Sequence, residues 1–268
     1  FNTWAKQNYD PQAHFVRGPP RGRVALRSGR AHAMNWAAVT PEIVLLTMAC
    51  VIALVDLFVE DEQRRLTFWL TQASLAAVAL LHLLRLDGAQ SVYAMQGMVV
   101  SDPLGHLLAL FATVAVMITI GYARAYIGAR EMLKGEFFTL SLFSLLGVCV
   151  MVSANNFLVV YLGLELMSLS LYALVALRRD HGTSTEAAMK YFVLGALASG
   201  FLLYGLSMMY GATGSLDIQR VFEVIGRGQA NQSVLIFGLV FVVAGLAFKF
   251  GAAPFHMWVP DVYHGAPT

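Results

Sequence analysis

The chain has 268 residues, of which 58% are hydrophobic and 13% charged; its formal net charge is +2 and its mean hydropathy is +0.64. This composition is too apolar for a soluble domain of that length, so it excludes a soluble globular protein and favours a membrane protein.

Seven apolar stretches are long enough to cross about 30 Å of hydrocarbon as helices. They cover residues 42–59, 67–86, 104–126, 137–154, 156–177, 185–210 and 233–250. None shows the alternation of polar and apolar residues that strands of a membrane barrel need. The predicted fold class is therefore an all-α polytopic membrane protein with about seven transmembrane helices.

Basic residues outside these stretches predict an orientation. The loops on one side of the membrane carry seven basic residues: Arg64, Arg65, Arg124, Arg130, Lys134, Arg178 and Arg179. The loops on the opposite side carry three: Arg85, Arg220 and Arg227. Because cytoplasmic loops are richer in Lys and Arg, the start of the first helix is expected outside the cytoplasm.

The first 33 residues break this charge pattern. They are rich in Arg, Pro and Gly and have no apolar core from which a secretory signal is built. We expect residues 1–33 to be a disordered or spurious extension, with the functional chain beginning at Met34. The chain opens on Phe1 and stops at Thr268 directly after a charged, aromatic segment, which is typical of a fragment.

The fifth stretch holds one charged residue, Glu165, in an otherwise apolar run. A charge at that depth costs roughly 2.5–3.5 kcal/mol on insertion scales, so it is expected to face the bundle interior. Tyr161, Ser168 and Tyr172 share its helix face by their spacing. Two interpretations remain open: a carboxyl group that exchanges protons, and a structural Glu that hydrogen-bonds across helices.

The sixth stretch opens with a pair of opposite charges. Glu186 and Lys190 have the favourable i, i+4 order, so an interfacial pair explains Lys190 as well as a functional role does. Deeper in the stretch, Gly195 and Ser199 form a pair of small residues that favours close helix packing.

The seventh stretch ends at Lys249 and is followed by Gly251-Ala-Ala-Pro254. Pro254 lacks an amide hydrogen and clashes with the carbonyl four residues earlier, so we predict that the helix breaks at Phe250. Carbonyls freed by the break would stabilise a protonated Lys249 at the negative end of the helix dipole.

Several aromatic residues and histidines admit two interpretations. His256 is a candidate for the next member of a proton relay, or else a hydrogen-bonded residue of an aromatic cluster. Trp258 and Tyr263 are typical of interfacial or packing aromatics. His82 is expected to be a hydrogen-bonded packing residue, and His106 an interfacial one.

The cysteines indicate no cofactor. Cys50 and Cys149 lie within apolar stretches and have no CxxC or His cluster at ligand spacing. No haem, iron–sulfur or zinc spacing is present, and no Gly-rich phosphate loop follows a strand pattern. We expect neither a metal nor a nucleotide site in this chain.

Residues 137–268 resemble the antiporter-like subunits of respiratory complex I, and the first three apolar stretches agree with them in number and placement. The stretches that carry the resemblance are 156–174 with Leu162-Gly-Leu-Glu-Leu, 187–214 with Lys190-Tyr, and 245–268 with Phe248-Lys249, Pro254-Phe-His and Pro260-Asp-Val-Tyr-His-Gly-Ala-Pro.

The resemblance implies a fourteen-helix fold with two inverted five-helix repeats and a broken seventh helix. Residues 34–136 would form helices 1–3, and residues 137–268 helices 4–7 of an incomplete first repeat. Glu165 would tune its partner, Lys249 would be the lysine at the break, Lys190 an additional buried lysine and His256 a member of the connecting polar axis. The family's further lysines, on helices 8 and 12, would fall beyond Thr268.

The same resemblance implies proton translocation driven by quinone reduction elsewhere in the complex. NADH, FMN, iron–sulfur clusters and quinone would belong to partner subunits. The partners would be other membrane subunits, the lipid bilayer and protons, with quinone involved indirectly and no nucleic acid. The location would be a bacterial plasma membrane, with the start of helix 1 on the periplasmic side.

Two other functions remain open. A self-contained cation/proton antiporter would transport cations without NADH or quinone. A non-transporting scaffold would tolerate neutral residues at Glu165 and Lys249.

Overall fold

The computed structural model describes residues 34–59, 64–86, 91–130 and 132–266. The extension predicted over residues 1–33 lies outside these ranges, so it remains a prediction. The helices are α1 Thr40–Asp56, α2 Arg65–Leu83, α3 Pro103–Gly128, α4 Gly135–Val152, α5 Phe157–Val175, α6 Gly182–Thr213, α7 Ile218–Gly226, α8 Gln232–Lys249 and α9 Trp258–Gly265. A 3-10 turn, Trp36–Val39, leads into α1.

Within the described ranges, seven helices are long and apolar enough to cross a membrane. They are α1 (together with the turn before it), α2, α3, α4, α5, α6 and α8. Each overlaps one predicted stretch, so the predicted all-α polytopic fold is confirmed. The short helix α7 was not predicted. It carries Ile218, Val221, Phe222 and Ile225 at helical spacing, and Val221 is 1% exposed.

A short antiparallel hairpin, which the sequence interpretation did not foresee, joins α2 to α3. Its strands are β1 Val92–Ala94 and β2 Val99–Ser101, and Val92 pairs with Ser101. The hairpin binds the turn between α4 and α5: the Val100 amide donates to the Ser153 carbonyl at 2.8 Å, and the Asn155 amide to the Met98 carbonyl at 2.8 Å. It therefore connects the first helices to the later ones at one end of the bundle.

Pairs of glycines bring helices into backbone contact. A Cβ at Gly147 on α4 would lie 2.6 Å from the carbonyl oxygen of Gly163 on α5. A Cβ at Gly205 on α6 would lie 2.7 Å from the carbonyl oxygen of Gly238 on α8. Such small-residue contacts are typical of membrane helix packing. They bring α4 to within backbone contact of α5, and α6 to within backbone contact of α8.

The helix α8 ends by a glycine cap, before the proline predicted to break it. Gly251 has φ +62, a conformation that glycine adopts without steric cost. The Gly251 amide donates to the Phe248 carbonyl at 2.9 Å and the Ala252 amide to the Ala247 carbonyl at 2.8 Å, the pattern of a Schellman motif. The predicted break at Phe250 is confirmed in position, since α8 ends at Lys249 with Phe250 as its C-cap, and a glycine cap at Gly251 forms this end of the helix before Pro254 is reached.

Candidate functional site

The clearest polar site lies where the end of α8 meets the middle of α5. The amine of Lys249 lies 3.4 Å from Glu165 Oε1 and donates to Ser168 Oγ at 2.8 Å and to Tyr172 Oη at 3.2 Å. An ammonium group has three N–H donors, and these three oxygens supply one acceptor for each. The geometry therefore satisfies a protonated lysine.

A third helix completes the site. Ser199 on α6 donates its hydroxyl hydrogen to Glu165 Oε1, the same oxygen that faces Lys249. The side chains of Lys249 and Glu165 are 11% and 19% exposed. An ion pair with so little contact with solvent costs desolvation energy unless further hydrogen bonds satisfy it, and the three hydroxyl groups do so here.

The spacing of residues on α5 explains why this site forms. Glu165, Ser168 and Tyr172 lie within two turns on one face, and that face meets Lys249. Tyr161, which was predicted on the same face, lies one turn away and packs against the apolar cluster around Leu206. The structure thus brings three of the four face residues to Lys249.

An aromatic wall holds Tyr172 in place. Its ring packs edge-on against Tyr191 at 4.4 Å, and Tyr191 stacks on Trp258 at 4.7 Å. Gly195 makes room for the hydroxyl group, because a Cβ there would lie 2.1 Å from Tyr172 Oη. The Trp258 indole donates to the Phe248 carbonyl at 3.0 Å, so it packs within the protein and caps α8.

Lys190 lies outside this site. Its amine lies 2.8 Å from Glu186 Oε1 and 2.9 Å from Asp261 Oδ2, and its side chain is 43% exposed. The expected partner Glu186 is present, whereas the Asp261 contact was not foreseen. The expectation of a buried lysine is wrong for the described chain, because Lys190 points to the surface and pairs with two carboxylates there.

His256 also lies outside the site. It follows the end of α8, and its exposed side chain forms no hydrogen bond or ion pair with the residues that the structure describes; only its backbone carbonyl accepts a bond, from the Val259 amide at 3.0 Å. The expected relay from Lys249 through His256 is absent from the described geometry. The physical reason is the direction of the chain after Gly251, which turns toward α9 and leaves His256 at the surface.

Ser199 is the site residue that the sequence interpretation missed. It was assigned to packing together with Gly195, four residues earlier on the same helix face. That shared face was the available signal, since Gly195 contacts Tyr172 and Ser199 contacts Glu165. Among the described residues, no group of three or more His, Cys, Asp or Glu side chains is arranged to hold a metal ion.

Residues 154–268, which include the site, match the protein family described as NADH:quinone oxidoreductase/Mrp antiporter, transmembrane. The chain is 63% identical over 236 residues to NADH-quinone oxidoreductase subunit N of Polaromonas naphthalenivorans, covering 88% of this chain and 47% of that protein. It is 59% identical to subunit N of Herminiimonas arsenicoxydans over 239 residues, covering 88% and 48%. The chain thus spans about half the length of the curated relatives that it matches.

Two solved structures share the fold. Respiratory complex I from Thermus thermophilus with bound aureothin contains a chain that is 31% identical, with a TM-score of 0.68 over 85% of this chain and 48% of that one. A membrane-bound sulfane sulfur reductase, an archaeal respiratory membrane complex, matches at 22% identity with a TM-score of 0.72 over 87% and 48%, which shows the fold alone.

The seven apolar helices define a multi-pass membrane chain, and residues 154–268 match an antiporter-like transmembrane family. The comparisons confirm the resemblance stated from the sequence: the chain is similar to the antiporter-like subunits of respiratory complex I. Within that family, its curated relatives are NADH-quinone oxidoreductase subunit N from several bacteria.

Proposed function

We propose that this chain carries protons across a membrane as part of an NADH-quinone oxidoreductase, and that Glu165 and Lys249 are the groups through which it does so. The observation that carries this proposal is the enclosed ion pair, 3.4 Å between amine and carboxylate, joined by hydroxyl groups from two helices. A passive spacer has no need of two ionised groups at this depth, and such groups mark proton pathways in membrane proteins.

The energy scale of the pair suits this task. At an effective dielectric constant of about 20, charges 3.4 Å apart attract by about 5 kcal/mol before desolvation is counted. Moving one charge against the membrane field requires about 2.3 kcal/mol per 100 mV. Separating Glu165 from Lys249 therefore changes the free energy of the bound proton by more than the free energy needed to move one charge across about 100 mV. With the pair close the amine keeps its proton, and with the pair apart it releases it.

The hydroxyl groups solvate both members of the ion pair. Ser168 and Tyr172 accept hydrogen bonds from Lys249, and Ser199 donates to Glu165. A hydroxyl group both donates and accepts, so each of these residues can remain bonded when a proton moves past it. Their role is to keep the two charged groups solvated by the protein when the pair separates.

The test is made in the intact complex. Lys249→Ala and Glu165→Gln should impair proton pumping, measured in sealed membrane vesicles with NADH and quinone, while assembly is retained. Lys134→Ala, in the loop between α3 and α4, and Glu223→Gln, on the exposed face of α7, are matched controls and should pump normally. Full pumping by a Lys249→Ala complex would refute the assignment.

The same measurement separates the two other functions. A cation/proton antiporter would exchange cations for protons in vesicles that receive neither NADH nor quinone. If the chain were a non-transporting scaffold, the complex would pump normally with either Glu165→Gln or Lys249→Ala. The proposal requires NADH-dependent pumping that the site variants diminish.

The surroundings of the chain form part of the proposal. Its partners are other membrane subunits of the complex and the lipid bilayer, with quinone acting at a distance, and the redox groups (NADH, FMN and iron–sulfur clusters) are carried by partner subunits. The hairpin end of the bundle, where α1 begins, faces the periplasm, since its loops carry three basic residues against seven at the opposite end. We assign residues 34–136 to the three leading helices and residues 137–268 to the first repeat.

A further inference from the structure

A second buried polar cluster lies between α1, α2 and α3, on helices other than those of the Glu165–Lys249 site. His82 on α2 is 1% exposed and His106 on α3 is 7% exposed. Their Nδ1 atoms lie 3.1 Å apart, and His106 Nε2 lies 2.8 Å from Ser101 Oγ. One of the two Nδ1 atoms must carry a hydrogen for this contact to form. The two imidazoles are therefore joined in a single hydrogen-bonded chain.

Two polar atoms at the inner end of this chain have no protein partner. His82 Nε2 and Glu42 Oε2 are buried and form no hydrogen bond with the described residues. Both residues line one small, partly enclosed cavity of about 10 Å³. A polar cavity of that size holds about one water molecule, and a buried polar atom left unpaired is costly. The chemistry of the cavity therefore fits one water molecule between His82 and Glu42.

The outer end of the chain reaches a larger cavity. This cavity has a volume of about 490 Å³, is partly open, and is lined by Arg85, Ser101, Asp102 and His106 among others. His106 and Ser101 line the small cavity as well, so they form the wall between the two. Arg85 donates to the Ala38 carbonyl at 2.9 Å and thereby holds the start of α1 against this wall.

We propose that Glu42, His82 and His106 form a second protonatable site, in which the histidine pair passes protons between the larger cavity and Glu42. The path runs from the cavity to His106, then to His82, to one buried water molecule and to the carboxylate. No such role was expected from the sequence, where both histidines were assigned to packing or to the interface. The site is independent of Lys249.

The transfer balances as a relay of one proton. A proton from the larger cavity bonds to His106 Nε2 while the Nδ1 hydrogen of His106 passes to His82 Nδ1. The Nε2 hydrogen of His82 passes to the water molecule, which gives one of its own hydrogens to the Glu42 carboxylate. Every heavy-atom contact is kept and every hydrogen bond reverses direction, so the reverse sequence returns the proton.

Charged and titratable groups surround this site on four helices. Glu42 lies on α1, His82 on α2 with Arg85 just past its end, His106 on α3 with Asp102 as its N-cap, and Cys149 on α4. Arg85 binds the carbonyls of Ala37 and Ala38, a few residues before Glu42 at the start of α1. A change in proton occupancy at Glu42 is therefore expected to act on Arg85 and on the α1 start that it binds.

The test is infrared difference spectroscopy of the intact complex in lipid vesicles. A pH titration should show the carbonyl band of a protonated carboxyl group that is absent from the Glu42→Gln complex and present in a Glu223→Gln complex. On transfer to heavy water, deuteration of that band should be slowed roughly 100-fold in His82→Gln and His106→Gln complexes, the scale that a positioned proton-transfer group supplies. Gln keeps a hydrogen-bonding group but cannot pass a proton through its side chain. His181→Gln, at the exposed start of α6, is the matched control and should exchange at the original rate.

Two results would overturn the proposal. One is a carboxyl band that never appears or that persists in Glu42→Gln, since Glu42 would then not be the acceptor. The other is an unchanged exchange rate in both histidine variants, since the pair would then not carry the proton. Should either Gln variant fail to assemble, the other histidine variant supplies the same comparison, because both imidazoles lie in series.

Discussion

Replacing Gly195 with alanine is expected to displace Tyr172, the tyrosine that contacts Lys249. The new Cβ would lie 2.1 Å from Tyr172 Oη and 2.6 Å from its Cζ, too close for any real contact. Adding atoms to a packed core costs about 1–3 kcal/mol, and the better helix propensity of alanine returns about 0.5–1 kcal/mol. Loss of the 3.2 Å bond from Lys249 adds about 1.5–3 kcal/mol, because that bond involves a charged group. We expect the free energy of unfolding to fall by about 2–5 kcal/mol in total.

The matched control for this change lies on the same helix. A Cβ at Gly200 meets no atom within 4 Å, so Gly200→Ala should raise stability by about 0.5–1 kcal/mol. The assay is the thermal unfolding midpoint of the full-length subunit in its purified complex, together with NADH-driven proton pumping. Equal midpoints and equal pumping for the Gly195 and Gly200 variants would show that Tyr172 is not held by this contact.

Three further changes test other parts of the structure. Ser199→Ala removes the hydroxyl group bound to Glu165. It should lower thermal stability by about 1.5–3 kcal/mol, the scale of a hydrogen bond to a charged group, and it should also lower proton pumping. Unchanged pumping would assign Ser199 to packing alone. Gly251→Ala forces alanine into the left-handed region and should destabilise the end of α8 by about 1–2 kcal/mol, whereas Gly211→Ala, which meets no atom within 4 Å, should not lower the unfolding midpoint. Lys190→Gln should alter pumping less than Lys249→Ala. Because the ion pairs of Lys190 are exposed, the stability difference between Lys190→Gln and the unchanged protein should vanish at high ionic strength. A stability difference that persists in high salt would contradict this prediction.

The two charged residues of the candidate site, Glu165 and Lys249, could be predicted from the sequence. Glu165 and Lys249 stand out because each is a charge in an apolar stretch, and helical spacing places Ser168 and Tyr172 on the face of Glu165. The role of Ser199 could not be predicted from the sequence, because serine in membrane helices serves both close packing and hydrogen bonding between helices. Only the approach of α6 to α5 decides between these roles.

The assignments of Lys190 and His256 show the limit of arguing from position along the chain. Both lie in segments that resemble the family, yet one binds surface carboxylates and the other is exposed. The pairing of Lys190 with Asp261 and the exposure of His256 depend on how the chain continues after Gly251, where a left-handed residue ends α8 and redirects the chain into α9. The sequence pattern contains the glycine but not the turn that it makes.

By itself the sequence determined the membrane class, the number of crossing helices and the two charges that membrane depth makes costly, because these follow from local hydropathy and from the length of hydrocarbon to be crossed. The tertiary structure alone decided which side chains share a site: Ser199 with Glu165, and Glu42 with His82 and His106. Such contacts join residues on different helices, and their distances depend on the packing of backbones at glycine contacts such as Gly205 with Gly238. Hydropathy and helical period carry no information about that packing, since both describe one helix at a time.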